Sequence, residues 1–353
     1  MNTRHGAAIT AILAALLFGA TTPFAKALLG ALSPFMVAGL FYLGSGCGLA
    51  IAMFVRRWRQ RSDASGHREI VMPRKELPWL IGAIIAGGIA GPALLMFGLS
   101  TTPAATTSLL LNLEGVFTAL IAWFVFRENV DTQVFLGMMA IVAGGVLLSW
   151  QPGAGGAGTG ALLVAGACLC WAIDNNLTRK VSNNDAMFIA CVKGLVAGVV
   201  NTGIALCLGA HSGPAFIGAS MVAGLAGYGV SLVLFVVALR HLGTARTGAY
   251  FSVAPLFGIA ISFALWPELP TLSFWIATML MALGVWLHLR ERHVHEHTHE
   301  ALEHNHRHRH DEHHQHTHDF EWDGVEPHVH PHRHARITHT HAHFPDIHHR
   351  HSH

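Results

Sequence analysis

A carboxylate in the middle of an apolar run is the residue with the most chemistry to explain. Glu114 lies in Leu110-Leu111-Asn112-Leu113-Glu114-Gly115-Val116-Phe117, near the centre of a segment long enough to cross a bilayer. An ionised side chain there costs about 2.5–3.5 kcal/mol on insertion scales, so it must face protein or water. Glu114, with Asn112 two residues before it, is suited to carry a proton or to hold a cation. The structural alternative is a carboxyl that only ties helices together.

A second polar group is Asp174-Asn175-Asn176, with Trp171 one turn earlier and Lys193 in the next apolar segment. Counted from the nearer ends of their segments, Asp174 is about six residues in and Lys193 about seven. At 1.5 Å per residue both lie roughly 10 Å deep. They can pair if their helix faces meet, either as a structural ion pair or to orient a zwitterionic or anionic substrate. Tyr228 and Tyr250 are candidates to line a cavity with their hydroxyls. Lys26 and Arg179 stand near segment ends, where long cationic side chains snorkel.

The third chemical signal is histidine: 23 of the 28 histidines fall in residues 293–353. Most follow His-x-His, through His293, His295, His297 and His299, then His304, His306, His308 and His310, then His313, His314, His316 and His318. Neutral imidazole is the commonest ligand of divalent transition metals. In an extended chain residues two apart share a side, so His-x-His can present two rings to one ion. Zn, Ni, Co or Cu is therefore the expected occupant. With little apolar content, residues 291–353 are expected to be a disordered tail. A pH-responsive polyelectrolyte is the alternative.

The elements that position these residues follow from composition. Hydrophobic residues make up 52% and charged residues 12%, with 37 glycines. Soluble domains carry about 25% charged residues. Ten apolar segments are expected near 7–29, 34–55, 77–99, 103–126, 132–150, 159–179, 186–208, 216–239, 244–266 and 271–289, each about the ~20 residues that span a bilayer. Residues 93–148 match residues 233–288 at an offset of 140: Ala104-Ala105-Thr106-Thr107 faces Thr244-Ala245-Arg246-Thr247, and Phe117 faces Phe257. The chain thus reads as an all-α polytopic membrane protein, residues 1–150 and 151–290 being two five-helix repeats. An odd number of spans inverts the second copy, a device that builds alternating-access transporters. Gly115 and Pro255 occupy one repeat position, and matched interruptions point to a binding site. Glu114 faces Ala254, so its role is confined to one half.

Arg56, Arg57, Arg59, Arg61, Arg68, Arg74 and Lys75 crowd one loop, whereas loops 151–159 and 209–214 hold no Lys or Arg. The positive-inside rule then puts both termini in the cytoplasm. All five cysteines lie in apolar segments, which implies no disulfide framework.

By the fourth and fifth segments a pattern emerges. Asn112-Leu113-Glu114-Gly115-Val116-Phe117-Thr118-Ala119-Leu120-Ile121-Ala122-Trp123, Arg127-Glu128, Gly137 and Gly144-Gly145-Val146-Leu147-Leu148 resemble the EamA-type repeat of the drug/metabolite transporter superfamily. Val253-Ala254-Pro255-Leu256-Phe257 and Pro267-Glu268 resemble it more loosely. Gly115 departs from the proline common there. The resemblance covers roughly residues 7–289 and implies a ten-helix secondary transporter of small organic solutes in a bacterial inner membrane.

No Walker phosphate loop, HExxH or nucleophile elbow is present, so an enzyme and an ATP-driven pump are disfavoured. No cofactor is required and no nucleic acid is expected. The preferred reading is an exporter of a small metabolite, with proton exchange at Glu114. The alternatives are a divalent transition-metal transporter and a metal-responsive membrane regulator. Substrate and oligomeric state are open.

Overall fold

The computed structural model describes residues 3–60, 73–126, 132–151, 156–181, 185–242, 247, 250–267 and 269–289, and the tail segments 293–299, 302–308, 328–334 and 337–343. Two units result, Met1–Glu291 and Arg292–His353. The first is helical: α1 (Thr3–Leu28), α2 (Pro34–Gln60), α3 (Leu77–Ala83), α4 (Gly91–Thr101), α5 (Ala104–Leu110), α6 (Leu113–Phe126), α7 (Thr132–Ser149), α8 (Thr159–Arg179), α9 (Ala186–Cys207), α10 (Pro214–Gly224), α11 (Ser231–Leu242), α12 (Ala254–Leu265) and α13 (Leu272–Leu289). A two-residue ladder, β1 (Trp150–Gln151) with β2 (Gly156–Ala157), is its only described strand pairing.

Among the described residues, eight helical stretches are long and apolar enough to cross a membrane: α1, α2, α3 through α4, α5 through α6, α7, α8, α9, and α10 through α11. Helices α12 and α13 are apolar but shorter. The expected ten spans thus become eight of full length and two shorter ones. The ninth is short because a turn at Ser252-Val253 cuts it. The outward surface is apolar, with Phe54, Phe124, Leu272 and Met279 exposed, while Phe41, Met96, Leu99, Ile141 and Met281 fill the interior. Large apolar side chains can face outward in this way where the surroundings are lipid. The chain is an integral membrane protein.

Two π-helical turns break the α-helical bonding. Ile84–Ala90 joins α3 to α4, and Leu225–Val230 joins α10 to α11. A π turn leaves carbonyls without α-helical partners. Here the Gly87 carbonyl accepts from the Tyr42 hydroxyl at 2.9 Å and from Trp171 Nε1 at 3.0 Å, and the Gly88 carbonyl from Asn201 Nδ2 at 3.2 Å.

Helix α2 packs on α9, α7 on α13, α4 and α6 on α8, and α1 on both α11 and α12. The α2·α9 crossing runs backbone on backbone. A Cβ on Gly46 would meet Leu195 N at 2.6 Å, one on Gly194 would meet Gly46 Cα at 2.8 Å, and one on Gly198 would meet Leu43 N at 2.6 Å. Only glycine permits that approach. Asp185 caps α9 by accepting from the Met187 and Phe188 amides at 2.8 and 3.3 Å.

In the tail, among the described residues, antiparallel strands pair His293–His299 (β3) with Ile337–His343 (β6), and Leu302–His308 (β4) with His328–His334 (β5). His-x-His alternates with the period of a strand, and Val294, Thr298, Val329, Ile337, Thr338 and Thr340 add β-branched residues that favour it. The all-α class therefore applies to the membrane unit.

Candidate functional site

The fourth helical stretch is broken at Leu111-Asn112, between α5 and α6, and the turn at Ser252-Val253 precedes α12. With the repeat offset of 140, Leu111 corresponds to Phe251, Asn112 to Ser252, Glu114 to Ala254 and Gly115 to Pro255. Proline supplies no amide and frees the carbonyl four residues back, which accounts for the second break. At the first, the Leu109 carbonyl accepts from the Asn112 amide at 3.1 Å and from Asn112 Nδ2 at 2.8 Å. The Leu110 carbonyl takes the Cys168 thiol at 3.6 Å.

Between the two breaks lies a cavity of about 330 Å³. All four corresponding pairs line it, together with Phe18, Gly19 and Thr22 of α1, Ser108 of α5, Ile141 of α7 and Val285 of α13. Glu114 Oε1 accepts from Asn175 Nδ2 at 2.8 Å, and Asn175 also reaches Thr118 Oγ1 at 3.4 Å. The Ser108 hydroxyl is buried without a hydrogen-bond partner. Phe18 and Phe251 meet at 5.4 Å between ring centroids.

A model of the EamA-like transporter family matches residues 5–150 and again residues 158–290. The chain belongs to the EamA-like transporter family. An uncharacterized transporter of Methanothermobacter thermautotrophicus is 28% identical over 297 residues, covering 79% of this chain and 84% of the relative. The probable 4-amino-4-deoxy-L-arabinose-phosphoundecaprenol flippase subunit ArnE of Pseudomonas fluorescens is 36% identical over 74 residues, 21% of this chain and 64% of that protein. A solved crystal structure shares the fold at 19% identity, with TM-score 0.56 over 80% of this chain and 96% of the other. Family and relative are named as transporters, not as enzymes.

In this EamA-like transporter, Glu114 and Asn112 line the cavity, and Asn175 reaches it through Glu114. Asp174 lies behind. Lys193 Nζ donates to both its carboxylate oxygens at 2.6 Å, and Thr178 Oγ1 donates to Oδ1 at 2.8 Å. Asp174 also fills the space beside Gly87, where a Cβ would collide with it. Trp171 donates to the π turn, and Tyr228 meets Tyr42 edge-on at 5.3 Å and Phe18 at a tilt at 6.2 Å, beside the cavity. Tyr250 precedes the lining residue Phe251 but is not itself among the lining residues.

Lys26 reaches the end of a neighbouring helix. Its Nζ donates to the carbonyls of Leu99, Ser100 and Thr102 at 2.6, 3.2 and 3.0 Å, closing the C-terminal end of α4. All five cysteines are free. Residues Phe18, Thr22, Ser108 and Ser252 escaped the sequence reading, although the repeat offset links Ser252 to Asn112. Among the described residues no three His, Cys, Asp or Glu side chains converge on a point. His293, His295, His297, His299, His304, His306 and His308 lie in the strands, while His310, His313, His314, His316 and His318 lie outside the described residues, as do Glu128 and Glu268.

Proposed function

We propose that this EamA-like transporter is a secondary exporter of a small metabolite, working by alternating access with Glu114 exchanging a proton for substrate. The observation that carries this is the cavity between two helix breaks at one repeat position, with a carboxylate on one side of it. Broken helices at the bilayer midplane are where transporters of this construction bind their cargo.

Ten helices in two inverted five-helix repeats fit the packing. Exchanging the halves turns α2·α9 and α7·α13 into themselves, α4·α8 into α1·α11, and α6·α8 into α1·α12. The two π turns exchange as well. Gly87 against Asp174 becomes Gly227 against Thr21, since a Cβ on Gly227 would collide with that threonine. Such pairwise exchange supports a pseudo-twofold axis in the membrane plane. With the Arg-rich loop 56–76 inside, both termini are cytoplasmic, as in a bacterial inner-membrane protein.

For the tail the proposed ligand is a divalent transition ion. Six cross-strand pairs oppose histidine to histidine, among them His295 with His341 and His306 with His330. Directly opposed residues hold their Cβ atoms about 4.5–5.5 Å apart, a spacing that lets two imidazoles share one ion. Metal passage through the membrane unit is less favoured, because the convergent ligands it needs are missing among the described residues. The lipid-linked phosphate named for the flippase relative is not carried over, since no cationic residue lines this cavity among the described residues.

The test is a comparison of solutes in the medium of cells producing the full chain or Glu114→Gln at matched levels. Accumulation of one or more organic solutes with the first and not with the second is expected. Identical media, with only cell-associated metal changing, would reverse the preference.

A further inference from the structure

We infer that the cavity between the two helix breaks takes an organic monocation, a small amine or quaternary ammonium with one apolar ring or branch. This rests on the reading of that cavity as the transport site and names its cargo by charge.

Glu114 is the one ionisable residue among the described residues lining the cavity. Two lysines of the membrane unit are already committed, Lys193 to Asp174 and Lys26 to three carbonyls. An anion would look instead to amides at the start of α6 or α12, but these are largely consumed. The Glu114 amide donates to the Leu111 carbonyl, Leu256 and Phe257 both donate to the Val253 carbonyl, and Pro255 has no amide. What the cavity offers is therefore negative. One oxygen of Glu114 is held by Asn175, and its other oxygen has no partner among the described residues.

A carboxylate in low dielectric demands a compensating positive charge. The walls say which kind. Phe18 and Phe251 stand tilted at 5.4 Å on the cavity boundary, and aromatic faces attract ammonium groups. A bare transition-metal ion would want imidazole or thiolate ligands, and the described lining holds neither. The Ser108 hydroxyl, buried and without a partner among the described residues, gives a polar contact beside the neutral side chains of Thr22, Asn112 and Ser252. At about 330 Å³ the space sits at the small end of ligand pockets, which run from about 300 to 1,000 Å³.

The probes are benzyltrimethylammonium, benzyl alcohol and benzoate, titrated at constant ionic strength into the full chain in lipid nanodiscs. Benzyltrimethylammonium is expected to bind, with Glu114→Gln weakening it by about tenfold or more and Phe251→Leu by about threefold. Glu114→Asp, which keeps the charge, is the control for a folded site and should retain binding. Benzoate or benzyl alcohol binding as tightly as the cation would overturn the inference. So would cation binding indifferent to Glu114→Gln. Either result leaves solute export by the cells standing, so the cargo class and the transport reading fail separately.

Discussion

At the scale of the residue, the carboxylates of Asp174 and Glu114 have opposite standing. Asp174 is fully engaged by Lys193 and Thr178, whereas Glu114 keeps an oxygen toward the cavity. Removing one partner of a buried ion pair typically costs about 3–5 kcal/mol, because the other charge is left uncompensated. Asp174→Asn and Lys193→Met should each lower the unfolding midpoint in a thermal melt in detergent, and the double variant should recover most of the loss. Glu114→Gln should change the midpoint little, because glutamine still accepts from Asn175. The pairing of Asp174 with Lys193 was legible in the sequence, since both depths could be counted. Phe18, Ser108 and Phe251 were not. They are ordinary residue types for a membrane helix, and only the tertiary arrangement decides that they face a cavity. The partner of Lys26 was hidden for the same reason: sequence gives its depth, not the carbonyls beside it.

Among the elements, the broken stretches were readable and the π turns were not. A proline announces a freed carbonyl, and the repeat offset carried that signal from Pro255 to Gly115. A π turn shifts helical phase by part of a turn, and in a helix apolar on every face no polar stripe exists to reveal the shift. The break at Leu111-Asn112 forms without proline, and a Cβ at Gly115 would meet nothing within 4 Å. Gly115→Pro is therefore expected to be tolerated, raising stability by up to about 0.4–1 kcal/mol through the unfolded chain. Chemical denaturation of the purified variant checks it, a large loss contradicting it. Close helix contacts make the opposite case. A Cβ on Gly224 would overlap the Phe41 backbone, so Gly224→Ala should cost about 1–3 kcal/mol. Gly218→Ala, with open space around it, should be neutral or gain up to about 1 kcal/mol from helix propensity.

For the whole molecule, the division into a membrane unit and a histidine-rich unit makes a clean experiment possible. A chain ending at Arg292 should keep solute export and lose high-affinity Ni or Zn uptake by isothermal titration. Chelation with EDTA should leave the unfolding midpoint of its membrane unit unchanged. Export that collapses on truncation or chelation would instead make the tail part of the transport cycle. Composition marked the boundary between the units at about residue 290, because apolar content stops there abruptly. It did not foretell the strand pairing, in which His293–His299 must find Ile337–His343 and Leu302–His308 must find His328–His334 in one register.

The glycine seam between α2 and α9 has a mechanical consequence. Where side chains interlock, one helix can move past another only by lifting each knob out of its hole and dropping it into the next. Gly46, Gly194 and Gly198 leave no knobs, so the two backbones meet as smooth rods. Their crossing angle can then change in small increments at low cost. This contact joins two helices that occupy the same place in their respective halves. In the alternating access proposed above, a bearing at that point would serve as the pivot about which one half tilts against the other without first being pulled apart.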